Sequence, residues 1–181
     1  MRRFSLAVVL VFSLLAALSV QSATKPAGKL NVPNGLSLEL KINGKATLVP
    51  TGRDVPMPSG TYEPASLTCG AEGPGLKGKA ELWTIKVAPP NWGKIKGIPV
   101  QEGATTTLEA GPPFTLKTLV YKAENAGGAK VVPFTILIFG KAGELYDLNS
   151  FKKGLSQAPS VALQVLDEKG NVLASGTLGY G

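Results

Sequence analysis

Leu36-Ser37-Leu38-Glu39-Leu40-Lys41-Ile42-Asn43-Gly44-Lys45-Ala46-Thr47-Leu48-Val49 is the stretch from which the architecture is read. Its four leading apolar residues alternate with Ser37, Glu39 and Lys41, the period-two pattern of a strand with one buried face. Asn43-Gly44 follows at once. Both central residues of a type I′ turn need positive φ, so Asn-Gly between two such runs is the strongest short hairpin signal. Lys45 to Val49 is then the returning strand.

The same punctuation continues outward. Val55 and Met57 alternate with Asp54 and Pro56, but Pro56 and Pro58 cannot donate to a ladder, so this run is expected as an edge strand. Pro58-Ser59-Gly60 reads as a turn, with Tyr62 anchoring the corner. Tyr62 to Cys69 and Glu81 to Val87 read as strands, with the Gly- and Pro-rich Gly70 to Gly78 as a loop between them. Ile98 to Gln101 and Ala104 to Glu109 follow, the second carrying three successive threonines that favour the pleated backbone. Gly111-Pro112-Pro113 breaks the pattern. Beyond it, Phe114 to Lys122 reads as a strand and Ala126-Gly127-Gly128 as a turn. Val131 to Phe139, nearly all apolar, reads as a central strand covered on both faces. Lys141 to Gly154 is expected as a loop with a short helical turn. Val161 to Leu166 and Val172 to Leu178 form a last hairpin, with Gly170 in the left-handed position of its turn. No amphipathic helix of ten residues can be written after residue 23.

Short strands at regular spacing with Gly and Pro between them define an all-β chain and a β-sandwich. Two small Ig-like or prealbumin-like units in tandem, 24–110 and 111–181, are preferred to one ten-strand sandwich. A signal peptide, residues 1–23, precedes them. Met1-Arg2-Arg3 is its positive region, Phe4 to Val20 its apolar stretch and Gln21-Ser22-Ala23 its small-residue exit, the sequence of features that marks secretory export. Cleavage is expected near Ala23, and the destination is extracytoplasmic, secreted or periplasmic. No stable membrane span is expected once the signal is removed.

Composition narrows the chemistry. Of 181 residues none is His and one is Cys, which removes His-dependent triads, the commonest metal ligand and thiolate metal clusters. Taking Arg2 and Arg3 from the 19 Lys and Arg leaves 17 against 12 acids. That basic balance favours polyanions, yet the positive residues are scattered and form no nucleic-acid module, so no nucleic-acid partner is expected. Cys69, unpaired in an oxidising compartment, is expected to be buried and inert.

The order of motifs in the first unit resembles two related groups. Ile42-Asn43-Gly44-Lys45, then Val55-Pro56-Met57-Pro58-Ser59-Gly60-Thr61-Tyr62, and finally Val100-Gln101-Glu102-Gly103-Ala104-Thr105-Thr106-Thr107-Leu108 are similar to turn and closing motifs of PEGA modules and of carboxypeptidase regulatory-like, transthyretin-type modules. The resemblance covers about half of the chain after the signal, and the insertion from Gly70 to Gly97 departs from it. It implies a non-catalytic accessory or surface domain and assigns a role to no residue.

Few constellations could carry chemistry. Paired carboxylates need no His, and Glu144 with Asp147, flanking Tyr146, and Asp167-Glu168 are the nearest sets; each is expected to be solvated surface. No Asp-x-Asp-x-Asp calcium loop occurs. Ser156, Ser160 and Ser175 have no Ser-x-x-Lys partner, and Gly73 to Lys79 lacks the phosphate-loop spacing. Trp92, in a loop with Lys94 and Lys96 close behind, is the best ligand-binding candidate: an exposed indole could stack on a sugar and the lysines pair with its acid groups. The alternative is that Trp92 caps the core. Trp83 is expected within the core. The resulting expectation is an exported, non-enzymatic structural or interaction module with no cofactor and no metal. Its partner would be an acidic polysaccharide or another envelope protein. An acidic-glycan-binding module and, last, a carboxylate-dependent hydrolase are the alternatives.

Overall fold

The structure, a computed structural model, describes residues 27–74, 80–122, 124–126 and 129–178. Within the first of these segments run β1 (Ala27–Asn31), β2 (Leu36–Ile42), β3 (Lys45–Val49), β4 (Asp54–Pro58), β5 (Gly60–Tyr62) and β6 (Pro64–Pro74). Then come β7 (Ala80–Val87), β8 (Ile98–Val100), β9 (Thr105–Thr107), β10 (Thr115–Val120) and β11 (Glu124–Ala126). The chain continues through β12 (Ala129–Val131), β13 (Phe134–Phe139), β14 (Leu145–Lys153), β15 (Ser156–Gln157), β16 (Val161–Leu166) and β17 (Val172–Leu178). Among the described residues one 3-10 turn, Gly93–Lys96, interrupts the strands. Among the described residues no helix is long and apolar enough to cross a membrane.

Two sheets make the body. The larger runs in the order β10-β13-β14-β7-β6-β2-β3, with β15 on β14; the smaller is β4-β1-β9, in which β1 and β9 are parallel. Asn43 and Gly44 both take positive φ, and Ile42 faces Lys45, so the hairpin has the turn its sequence specifies. β4 lies at the edge of the smaller sheet, as its two prolines require. The Tyr62 hydroxyl donates to the Pro58 carbonyl across 2.7 Å and fixes the corner. Leu36, Leu38 and Leu40 of β2 share one buried cluster with Leu30 of β1, Leu67 of β6 and Ile85 of β7. This is the sandwich-like core, and each fully buried leucine contributes about 2–5 kcal/mol against truncation to Ala. Cys69 is buried in the same cluster as a free thiol.

Several expectations are corrected. The glycine-rich stretch after Cys69 is strand as far as Pro74, because Gly73 leaves room for the Trp83 indole: a Cβ there would lie 2.7 Å from the ring. Residues 75–79, which hold the rest of that expected loop and of the Gly73–Lys79 motif, fall outside the description, as do the signal (1–23) and Gly127–Gly128. Trp83 itself is half-buried rather than core. It stacks on Phe151 at 5.5 Å, with the Lys153 ammonium 5.3 Å from its ring. Lys141 to Gly154 is mostly strand: β14 carries an irregularity between Asp147 and Lys152, where Asp147 accepts from the Asn149 amide and Ser150 donates to the Asp147 carbonyl. Those polar residues read as a loop because a bulge uses turn chemistry inside a strand. β13 is not covered on both faces; it is half-exposed, lies next to the edge strand β10, and pairs with β14 only at Ile138–Tyr146 and Phe139–Leu145.

The larger sheet continues across residue 111, since β14 pairs with β7. Most of the core comes from residues before 111; Ala142, Tyr146 and Ala158 join it from beyond. β16 and β17 pair with one another, apart from both larger sheets.

Candidate functional site

Three connections meet where the candidate residues converge: the turn after β7, the segment before β10 and the turn between β13 and β14. The Lys94 amide donates to the Ala142 carbonyl, the Leu145 amide to the Asn91 carbonyl and the Lys141 amide to the Gly111 carbonyl, at 2.8–3.0 Å. Gly93, at positive φ, lies against the 142–144 backbone so closely that a Cβ would come 2.6 Å from the Glu144 amide nitrogen.

Glu144 sits at the centre and is 0% exposed. Its Oε1 accepts from the Gly111 amide (2.6 Å) and the Tyr146 hydroxyl (3.1 Å), and its Oε2 from the Ala142 amide (2.9 Å). The expectation of a solvated side chain is therefore wrong for Glu144. Gly140 makes this possible, because a Cβ there would overlap the carboxylate. A buried carboxylate is tolerated when both oxygens are met by donors. Burial, and then the Glu144 charge, raise the Tyr146 phenol well above its ordinary value and raise the Cys69 thiol as well. In both groups the protonated form is thereby favoured.

Trp92 is 8% exposed and belongs to the core cluster, immediately before the 3-10 turn. It takes the capping place, with no open ring face for stacking. Lys94 and Lys96, in the last turn beside it, are exposed. Lys94 lines an open groove of about 390 Å³ with Ile98, Thr106, Glu109 and Lys141, and Lys141 pairs with Glu109. Lys96 is not among the residues lining it. The structure thus brings Lys94 to a groove, withdraws Trp92 into the core and leaves Lys96 on the surface.

Asp147 is occupied by the β14 irregularity. Asp167 accepts from the Lys169 and Asn171 amides and from the Asn171 side chain, which depress its carboxyl below the ordinary range. Among the described residues no group of three or more Cys, Asp or Glu is arranged to hold a metal. Sequence reasoning missed Gly93, Gly111 and Gly140 as the residues that admit Glu144. The trace of Gly140 in the sequence is the pair of glycines, Gly140 and Gly143, just before the acid. The chain matches no family model, no curated protein and no solved structure.

Proposed function

We propose that this protein is an exported, non-enzymatic β-sandwich module that serves a structural or interaction role in the cell envelope. The observation that supports it most is the use of Glu144. The one fully buried carboxylate among the described residues spends both oxygens on two backbone amides and a tyrosine. Fully buried and held by three donors, it acts as a staple. The Arg-led apolar segment at Met1–Val20 supports export, and the turn motifs at Asn43-Gly44 and Ser59-Gly60-Thr61-Tyr62 support an accessory module. Tandem Ig-like units at 24–110 and 111–181 are part of this reading, joined through the pairing of β14 with β7.

N-terminal sequencing of the chain purified from an exporting host tests the location. Thr24 as first residue is expected, and an intact Met1 in the cytoplasmic fraction would overturn it. Acidic glycan binding is the second reading, favoured by Lys94 and Lys141 sharing one groove. It rests on charge, since Trp92 offers no platform. Salt-sensitive binding of an acidic polysaccharide that is lost in Lys94→Ala would establish it. Binding unaffected by Lys94→Ala and Lys96→Ala, or no binding, would remove it.

A further inference from the structure

Among the described residues, fourteen of the sixteen exposed large apolar residues follow residue 111, and nine of these lie in the strands of two hairpins. The first is the ribbon of β10 and β13, whose register places Leu116, Val120 and Phe134 on the face that leads into the core at Ile138. Leu116 is 66% and Val120 67% exposed. The second is β16–β17, where Val161 and Val165 share one face with Ala174 and Leu178 across the pair. Val165 is 53% exposed. A two-stranded hairpin with no packed face is marginal in water, and soluble monomers rarely leave apolar patches of this extent open. β10 also ends its sheet with no proline and a single lysine, in contrast to β4 with its two prolines.

We infer that two copies of this chain associate through these hairpins, the β16–β17 face of each covering the β10–β13 face of the other. The two surfaces suit one another: one presents large side chains at Leu116, Val120 and Phe134, the other sets the small Ala174 and Gly176 beside Val165 and Leu163. A two-fold arrangement is self-complementary and satisfies all four hairpins at once. The exposed apolar side chains amount to on the order of 600 Å² per chain, close to the roughly 800 Å² per partner of a standard interface once backbone and polar atoms are added. The inference names the partner for the interaction module proposed above, and it can fail without that reading failing.

Light scattering coupled to size exclusion, on the chain purified after export, tests it at micromolar concentration. Twice the chain mass is expected, with Val120→Lys and Val165→Lys each returning a single chain mass while the β-sheet circular dichroism is retained. Leu48→Lys, on the exposed edge strand β3 away from both hairpins, is expected to leave the dimer intact. A wild-type monomer would overturn the inference, whether its hairpins close on the same chain or float with anionic lipid vesicles. So would a dimer that survives both lysine substitutions.

Discussion

Replacing Glu144 by Ala removes the acceptor that three donors share. The Gly111 amide, the Ala142 amide and the Tyr146 hydroxyl all point at one carboxylate. Each would be left in a site that excludes water, at about 1–3 kcal/mol for a buried donor without a partner. Three such donors would cost about 3–9 kcal/mol, and because the folded chain no longer buries a carboxylate the net is about 3–5 kcal/mol. Glu144→Gln keeps one oxygen for two of the donors and turns an amide toward the third, and is expected to cost about 1–2 kcal/mol. Glu144→Leu restores volume but no acceptor, and so should fall nearer to Ala than to Gln. Urea unfolding followed by tryptophan fluorescence reads the series. With a slope of about 2 kcal/mol/M, Ala should lower the midpoint by roughly 2 M. A midpoint unchanged in Glu144→Ala, or Leu as well tolerated as Gln, would refute the claim that unmet donors set the cost.

Three further outcomes follow from neighbouring groups. Gly140→Ala places a Cβ against the Glu144 carboxylate and should cost about 2 kcal/mol, more than Gly143→Ala, which has open space and only left-handed backbone strain to bear; urea midpoints compare them. Burial and Glu144 raise both Cys69 and Tyr146 above their ordinary 9.0 and 10.0. The unfolded chain therefore loses these protons first, and stability that is whole below about pH 9 falls above it, by at most about 1.4 kcal/mol per pH unit for each group. Tyr146→Phe should flatten the upper part of that decline, and the Cys69 thiol should resist an aromatic disulfide reagent until denaturant is added. Asp167 behaves oppositely: its carboxyl is depressed by Asn171, so the turn between β16 and β17 is supported above about pH 3.8 and loosens as pH falls through and below that value. Protection of the Lys169 and Asn171 amides, read as exchange relative to an unstructured peptide at the same pH, should fall there, and Asp167→Ala should show the low protection already at neutral pH.

Alternation made the fold class legible. Leu36 to Ile42 is a strand whose side chains alternate between a buried and an exposed face, and a local pattern records that. β1 was not read, since Ala27-Gly28-Lys29-Leu30-Asn31 is held by Val55 and Thr106, far along the chain. β14 was hidden by Asp147-Leu148-Asn149-Ser150, which would suit a turn equally well. Trp92 was legible as a core cap or a platform, and its burial within the core cluster decides for the cap. Glu144 was illegible in principle. A glutamate between Gly143 and Leu145 has the local character of a surface residue, and only the arrival of Gly111 from 33 positions upstream supplies the donor that allows burial.

The parallel pairing of β1 with β9 has a consequence for the order of events during synthesis. Lys29 must wait about 75 residues for Thr105, a long-range closure of the kind that slows folding. At typical elongation rates of about 5–20 residues per second, that is several seconds with one edge of β1 unfilled. β4 arrives early and closes the other edge, but the smaller sheet cannot finish until Thr105–Thr107 emerges. β1 is thus the first strand among the described residues and one of the last to gain both of its neighbours.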